Sequence, residues 1–199
     1  MDVQIYPSME NPYLQLKHLS ETRKSCRKFK PDEIPQDITD KILSVAANSP
    51  YAGGSRSWGV TTVKETAVKE RLVLAIQEKV RATAESMERE SADLFVKYSQ
   101  NFMFFREAPL LIIPYFKVTP VMKSLLRESI TESLLQWERD NSVKSISCVS
   151  MLILLAAESL GLGACYMTGP LIAEREISEI LNIPPGREVG AIIPIGYKL

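Results

Sequence analysis

Arginine and serine side chains alternate in a short basic segment, Arg23–Phe29, in which four of seven residues are basic. Arg23, Ser25 and Arg27 lie two residues apart, so in an extended backbone their side chains point to one side. Two guanidiniums and a hydroxyl arranged in this way would donate hydrogen bonds to a phosphate or another anionic group. Because the formal net charge of the chain is +0, the positive charge is local. The pattern therefore predicts an anion site rather than a polyanion-binding surface.

The composition argues against several other classes of protein. Lys+Arg 24 balances Asp+Glu 24, whereas nucleic-acid binders usually carry a basic excess. Cys26, Cys148 and Cys165 form no CxxC pair or Cys/His cluster, so no zinc or iron–sulfur site is predicted. His18 is the only histidine, which leaves a histidine-based triad unsupported. Without a secretory signal at the N-terminus, and with the most apolar stretch (151–157) too short to span a bilayer, we expect a cytoplasmic protein with no membrane partner.

Apolar periodicity predicts the elements that position the basic segment. An apolar stripe at helical spacing, Ile38, Ile42, Val45 and Ala46, indicates a helix that stops near residues 48–50. The same reasoning predicts further helices over 65–80, 142–160 and about 177–181, and strands over 58–63, 108–116, 164–167 and 189–197. We expect a helical excursion at about residues 81–137, which could form a lid or a partner contact. Strands separated by more numerous helices indicate an α+β or α/β sheet covered by helices.

Two further loops are candidates for contact with a flat ligand. The loop 51–57 contains paired glycines, which allow a backbone to approach a ligand closely. The segment 161–170 passes from helix to strand to helix, and it lacks the glycine spacing of a phosphate loop. Its backbone groups and the Thr168 hydroxyl could instead line a ring-shaped ligand. Either loop could also be an ordinary connection between elements.

Taken in order, these segments resemble the FMN-dependent nitroreductase-like family. The resemblance rests on an Arg-x-Ser-x-Arg motif followed by an aromatic, a serine-rich loop ending in Trp, a buried helix ending Ala-Ala-x-x-x-Gly-Leu-Gly, a Leu-x-Ile-Pro-x-Gly turn and a final Gly-Tyr strand. The matching residues are Arg23-Lys24-Ser25-Cys26-Arg27-Lys28-Phe29, Ser49–Trp58, Ala156–Gly163, Leu181–Gly186 and Ile195-Gly196-Tyr197. The match covers about residues 20–63 and 140–197.

The resemblance implies an α+β three-layer sandwich, in which a central, mostly antiparallel sheet is flanked by helices. The whole chain, 1–199, would be a single domain that forms an intertwined homodimer with FMN at the interface. By position, Arg23 and Ser25 would hold the FMN phosphate, Lys24 would follow the ribityl chain, and Arg27 would lie at the pyrimidine side of the ring. A positive charge there would stabilise negative charge on the reduced ring.

The resemblance assigns two more groups of residues to the cofactor. The loop Tyr51-Ala52-Gly53-Gly54 would reach the flavin of the partner subunit, and Met167-Thr168-Gly169 would pass the edge of the ring. The chain departs from the family where Gly54 replaces Asn, Arg56 replaces Gln and Ser57 replaces Pro. We therefore expect Arg56 to replace an amide contact or to bind the phosphate. The family usually supplies another basic residue after the Gly-Tyr strand, and Lys198 is the candidate here.

These expectations define three functional hypotheses. In the leading one, the protein is an FMN-dependent oxidoreductase that takes hydride from NAD(P)H and reduces a nitroaromatic, a quinone or a similar electron-poor acceptor. The flavin carries the chemistry, so no protein residue is assigned as catalytic. In the second, the protein binds flavin as a sensor or carrier without efficient turnover. In the third, it is a helical interaction protein whose basic segment is only surface.

Overall fold

An antiparallel sheet lies at the centre of the fold in this computed structural model, which describes residues 11–52, 57–117 and 131–199. In chain order the strands of this described part are β1 (Trp58–Val63), β2 (Leu110–Lys117), β3 (Leu162–Ala164), β4 (Arg187–Val189) and β5 (Ile193–Tyr197). Their spatial order is β1-β2-β5-β3, and β4 also pairs with β2. Every pairing between these strands is antiparallel.

Helices flank this sheet in the described ranges. They are α1 (Pro12–Thr22), α2 (Gln36–Ala46), α3 (Thr66–Ala84), α4 (Arg89–Ser99), α5 (Glu132–Ser159) and α6 (Glu174–Ile180), with 3-10 turns at Gln100–Phe102, Phe104–Glu107 and Gly169–Ala173. The helices expected near residues 38–46 and 65–80 are confirmed, as are strands at 58–63 and 108–116. Of the range 81–137, which was expected to be a helical excursion, the described residues form the end of α3, α4, the first two 3-10 turns, β2 and the first turns of α5.

Alternating side chains of β2 reach two separate hydrophobic clusters, one on each face of the sheet. Leu111 and Ile113 pack with Leu72 and Ile76 of α3. Leu110 and Ile112 pack in the other cluster, with residues of α2 and α5 such as Ile42, Ile146 and Ile153. Because successive strand residues point to opposite faces, helices cover both sides of the sheet. The predicted α+β sandwich is therefore confirmed.

Three predicted boundaries differ from the structure. The buried helix begins at Glu132 rather than near Ser142, because Thr131 caps it by accepting a hydrogen bond from the Leu134 amide at 3.4 Å. Its first turns are largely polar, so apolar periodicity could not reveal them. The short strand lies at Leu162–Ala164, and the last predicted strand is divided into β4 and β5.

The apolar composition of α5 reflects packing in the core. Of the described helices, it is the one whose length and composition would suffice to cross a membrane, but 50% of its apolar window is buried inside the fold. Val149, Ile153 and Ala157 are fully buried, whereas Met151 is 48% exposed. The helix is thus buried along one side and presents apolar side chains on another.

Candidate functional site

The basic segment lies in extended backbone beside the edge of the sheet. The Cys26 amide donates a hydrogen bond of 3.0 Å to the Ala164 carbonyl oxygen, and Ser25 forms a parallel bridge with Ala164. At its other end, the Lys30 amide donates to the Tyr197 carbonyl oxygen at 2.9 Å. The segment is therefore held against β3 and the end of β5. β3 precedes the predicted flavin-edge residues 167–169, and β5 is the last strand of the sheet in chain order.

Two non-polar side chains of this segment face the core. Phe29 is buried, and Cys26 packs against the same cluster. Gly163 makes room for Cys26, since a Cβ on that glycine would lie 2.6 Å from the Cys26 Sγ atom. Ser25 and Arg27 remain exposed. The two core-facing residues are three positions apart, so a strict two-residue alternation does not extend to Phe29, although Ser25 and Arg27 are both exposed.

The buried Cys165 thiol lies beside the basic segment, one residue after the bridge between Ser25 and Ala164. Burial raises the pKa of this thiol. A hydrogen bond with Ser25 and the positive charges of Arg27 and Arg23 lower it, whereas Cys26 raises it. The hydroxyl and the two guanidiniums of the segment therefore act on one buried group. Donors and positive charge of this kind suit an anionic group.

A cleft of about 390 Å³ opens beside Cys165. Arg27 and the turn Met167-Thr168-Gly169 both line this cleft, so the fold brings together two of the sequence-predicted groups. The remaining described lining residues are Tyr98, Asn101, Phe102, Phe104, Cys165, Tyr166 and Pro170. The guanidinium carbon of Arg27 lies 5.9 Å from the centre of the Phe104 ring. Aromatic walls next to a cation form a suitable environment for a flat, polar ring.

The turn at one wall of the cleft has a fixed backbone path. The Met167 amide donates to the Ile192 carbonyl oxygen at 3.1 Å, and the Ile192 amide donates back at 3.0 Å. Gly169 lies directly beneath the Phe102 ring, because a Cβ at this position would be 2.4 Å from ring carbons. Thr168, between them, is exposed. The turn therefore presents the Thr168 hydroxyl and backbone groups on a rigid support.

The residues predicted from the loop after α2 occupy a different place. The Ala52 amide donates to the Ser145 hydroxyl at 3.0 Å, which places the loop against α5. Tyr51 packs in the α2–α5 cluster, and burial raises the pKa of its phenol. Neither residue is among the described lining of the cleft. Gly53, Gly54 and Arg56 lie outside the described residues.

Sequence reasoning did not assign Tyr98, Asn101 or Tyr166 to a site. Tyr98 and Phe102 are four residues apart at the end of α4, and their rings meet edge to face with centroids 5.4 Å apart. Phe102 and Phe104 also line the cleft, and no sequence pattern relates them to Tyr166, which lines it as well. Lys24 is exposed and is not part of the described lining.

Comparison with known proteins identifies the family. The family model for the Nitroreductase family matches residues 21–197, a range that contains the basic segment, the sheet and the cleft. The chain therefore belongs to the nitroreductase family and has the nitroreductase fold. The resemblance drawn from the ordered motifs is confirmed.

Two relatives illustrate the range of proteins with similar sequences. A putative NADH dehydrogenase/NAD(P)H nitroreductase from Methanothermobacter thermautotrophicus is 30% identical over 180 residues, which cover 88% of this chain and 73% of that protein. An iodotyrosine dehalogenase 1 homolog from Caenorhabditis elegans is 27% identical over 177 residues, which cover 88% of this chain and 52% of that protein. The chain thus spans about half the length of this second relative.

Solved structures agree with the fold. A BluB-like flavoprotein from Clostridium difficile 630 has a TM-score of 0.82 at 22% identity, covering 92% of this chain and 90% of that one. An FMN-dependent nitroreductase from Clostridium difficile R20291 has a TM-score of 0.60 at 26% identity, covering 90% and 86%. The similar proteins therefore differ in what their names say they do, while they share one architecture.

Proposed function

We propose that this member of the nitroreductase family is an FMN-dependent oxidoreductase that takes hydride from NAD(P)H and reduces an electron-poor acceptor. Nitroaromatics and quinones are the expected classes of acceptor. The observation that carries the proposal is the cleft whose lining includes both Arg27 and the Met167–Gly169 turn. When bound, FMN supplies the hydride-transfer chemistry, and the protein supplies binding, orientation and electrostatics.

The side chains of the basic segment and the lining of the cleft fit this cofactor. Arg23 and Ser25 would hold the phosphate, since guanidinium and hydroxyl donors match its oxygens. Lys24 would follow the ribityl chain. Arg27 would lie at the pyrimidine side of the ring, where its charge would favour negative charge on the ring. Met167, Thr168 and Gly169 would pass the edge of the ring with backbone groups and one hydroxyl.

The aromatic side chains of the cleft support a flat acceptor. Tyr98, Phe102 and Phe104 come from α4 and the turns that follow it, and Tyr166 comes from the opposite side. Rings of this kind stack on planar, electron-poor molecules and exclude water from them. Asn101 adds an amide that can donate a hydrogen bond to a nitro or carbonyl oxygen. This part of the excursion therefore selects the acceptor.

The protein acts as a homodimer in this proposal, and the exposed apolar face of α5 forms part of the interface. Trp137 and Met151, on the same side of α5, are 54% and 48% exposed. Tyr13 and Leu16 of the adjacent α1 are more exposed still. Exposed apolar side chains on neighbouring helices support an interaction site. In the dimer, the loop that contains Tyr51, Ala52, Gly53, Gly54 and Arg56 reaches the flavin of the partner subunit.

Both hydrophobic clusters share the central sheet, which supports a single domain. Within the proposed excursion at about 81–137, α4 and the 3-10 turns that follow it lie outside the sheet, whereas β2 belongs to it. A protein of this kind is expected in the cytoplasm, where its nicotinamide donor is found. The proposal includes neither a nucleic-acid partner nor a membrane partner.

Anaerobic reduction tests the proposed activity directly. The protein is loaded with FMN and mixed with NADH or NADPH, and the flavin absorbance is followed without oxygen. Bleaching, followed by recovery of colour when a quinone or nitroaromatic is added, is the expected result. Bound FMN that neither nucleotide bleaches would contradict the oxidoreductase and favour the sensor or carrier. The substitutions Gly54, Arg56 and Ser57 in the family loop are the features that favour that alternative.

A further inference from the structure

We propose that Lys198 and Glu158 form a positioning pair that holds the basic segment in place, and that Lys198 is not a ligand of the FMN phosphate. This inference rests on the proposed function, because it concerns how the same cofactor site is built. It assigns a role to a buried carboxylate that the cofactor contacts do not use.

The pair has close, two-point geometry. The Lys198 Nζ atom lies 2.9 Å from one Glu158 carboxylate oxygen and 2.8 Å from the other. The Glu158 side chain is 3% exposed, whereas that of Lys198 is 44% exposed. The ammonium of Lys198 is therefore directed inward, onto a carboxylate that solvent scarcely reaches.

The Lys198 ammonium offsets the cost of burying the Glu158 carboxylate. It lies in the last turn of α5, next to the C-terminal end of the helix, where backbone carbonyls already present partial negative charge. A buried carboxylate without a compensating cation is costly, and the helix end adds to that cost. Moving Lys198 to a phosphate would leave Glu158 unpaired. The structure thus favours retention of the pair when the cofactor binds.

The same lysine touches the basic segment. Phe29 forms an antiparallel bridge with Lys198, and the Lys30 amide donates to the neighbouring Tyr197 carbonyl oxygen at 2.9 Å. The Lys198 stem also lies beside Gly163, with its Cγ atom 3.1 Å from the position that a Cβ on that glycine would occupy. Cys26 contacts the same glycine, with its Sγ atom 2.6 Å from that position. Lys198 therefore connects the end of α5 to the backbone that carries Ser25 and Arg27.

Positioning and direct phosphate binding predict opposite results for one variant. If Lys198 bound the phosphate, the Glu158 carboxylate would compete with the phosphate for the Lys198 ammonium. Glu158→Gln would remove that competition and tighten FMN binding. If the pair positions the segment, Glu158→Gln loosens the last strand and weakens FMN binding. Lys198→Met weakens FMN binding whether Lys198 positions the segment or binds the phosphate. If Lys198 binds the phosphate, however, the affinity for riboflavin, which has no phosphate, stays unchanged.

The experiment compares Lys198→Met, Glu158→Gln and the double variant with wild-type protein. Flavin fluorescence gives the dissociation constants of FMN and riboflavin, and thermal unfolding gives Tm. Lys41→Met removes a matched surface pair, Lys41–Asp37 at 3.1 Å, and is the control. We expect each single variant to weaken both flavins by at least about tenfold, one decade of affinity. We also expect the double variant to weaken them by less than the product of the two single effects, while the control changes neither affinity.

Two outcomes would overturn the inference. Tighter FMN binding by Glu158→Gln, or a loss in Lys198→Met confined to FMN, would make Lys198 a phosphate ligand. A lower Tm with unchanged flavin affinity in both single variants would make the pair merely structural. Glu158→Gln is neutral and nearly isosteric, so the sign of its effect decides the question even if Lys198→Met does not fold. Failure of the wild-type protein to bind FMN would instead reject the proposed function itself.

Discussion

The backbone amide of Cys26 donates a hydrogen bond of 3.0 Å to the carbonyl oxygen of Ala164. This contact joins the basic segment to the strand that leads into the Met167–Gly169 turn. Through it, residues from the two ends of the chain share one cleft. Flavin binding at this cleft should therefore depend on the guanidiniums of the basic segment, on the Met167–Gly169 turn and on the contacts that hold the basic segment against the sheet.

The arginines of the basic segment should dominate flavin affinity. The double variant Arg23→Ala/Arg27→Ala removes two charge-assisted donors, each of which contributes about 1.5–3 kcal/mol in typical sites. We expect FMN affinity to fall by at least about a hundredfold, since 1.4 kcal/mol corresponds to a factor of ten. Arg175→Ala is the control, because Arg175 pairs with Glu179 on an exposed helix face. Equal FMN affinity in the double variant and the control would contradict the assigned roles.

The absence of a side chain at Gly169 should be essential for the shape of the cleft. A Cβ at this position would lie 2.4 Å from carbons of the buried Phe102 ring. We expect Gly169→Ala to lower the free energy of unfolding by about 1–3 kcal/mol, the usual cost of overpacking. Adding Phe102→Leu should restore part of that loss, as measured by urea unfolding. If Gly169→Ala alone were neutral, the close contact would not constrain the turn.

A charge on the exposed face of α5 should separate the proposed subunits. Met151→Glu places a carboxylate on a position that is 48% exposed in the single chain, and burying an unpaired charge at an interface is costly. We expect the variant to be a folded monomer by sedimentation and to bind FMN poorly. Leu74→Glu on α3, at a position 63% exposed, should leave the dimer intact. A dimeric Met151→Glu variant would place the interface elsewhere.

The Cys165 thiol should give the flavin-free protein a defined pH dependence. Burial raises the pKa of this thiol in the folded state, so the folded protein retains a proton that the unfolded chain releases. The resulting stabilisation is complete below the unfolded pKa, about 8.5, and is lost as the pH rises through the folded pKa. The free energy of unfolding of the wild type should therefore fall relative to Cys165→Ala above about pH 8.5. Parallel pH profiles for the two proteins would contradict the prediction.

Elements with strong periodicity could be predicted from sequence, and those set by polar caps or tertiary pairing could not. The stripe on α2 and the continuous apolar run of β2 predicted both elements, because burial on one or both sides determines these patterns. The start of α5 is set by the Thr131 cap before a polar stretch. The run from Cys165 to Met167 is apolar because Cys165 and Met167 are buried, although the strand ends at Ala164.

The candidate site was predictable in part for a related reason. Arg27 belongs to the Arg-x-Ser-x-Arg motif, and the turn Met167–Gly169 follows the Ala-Ala-x-x-x-Gly-Leu-Gly motif, so the resemblance assigned both to the cofactor. Tyr98 and Asn101 reach the cleft only because α4 and the following 3-10 turn fold back over it. No local pattern records that packing.

Flavin titration of the purified protein tests whether the basic segment and the cleft bind FMN. Protein freed of any bound cofactor is titrated with FMN while the quenching of flavin fluorescence and the absorbance of the bound ring are followed, with riboflavin as the comparison. We expect saturable binding of FMN that is tighter than binding of riboflavin, because Arg23 and Ser25 hold the phosphate. A colourless protein that binds neither flavin, or one that binds FMN no better than riboflavin, would contradict this expectation.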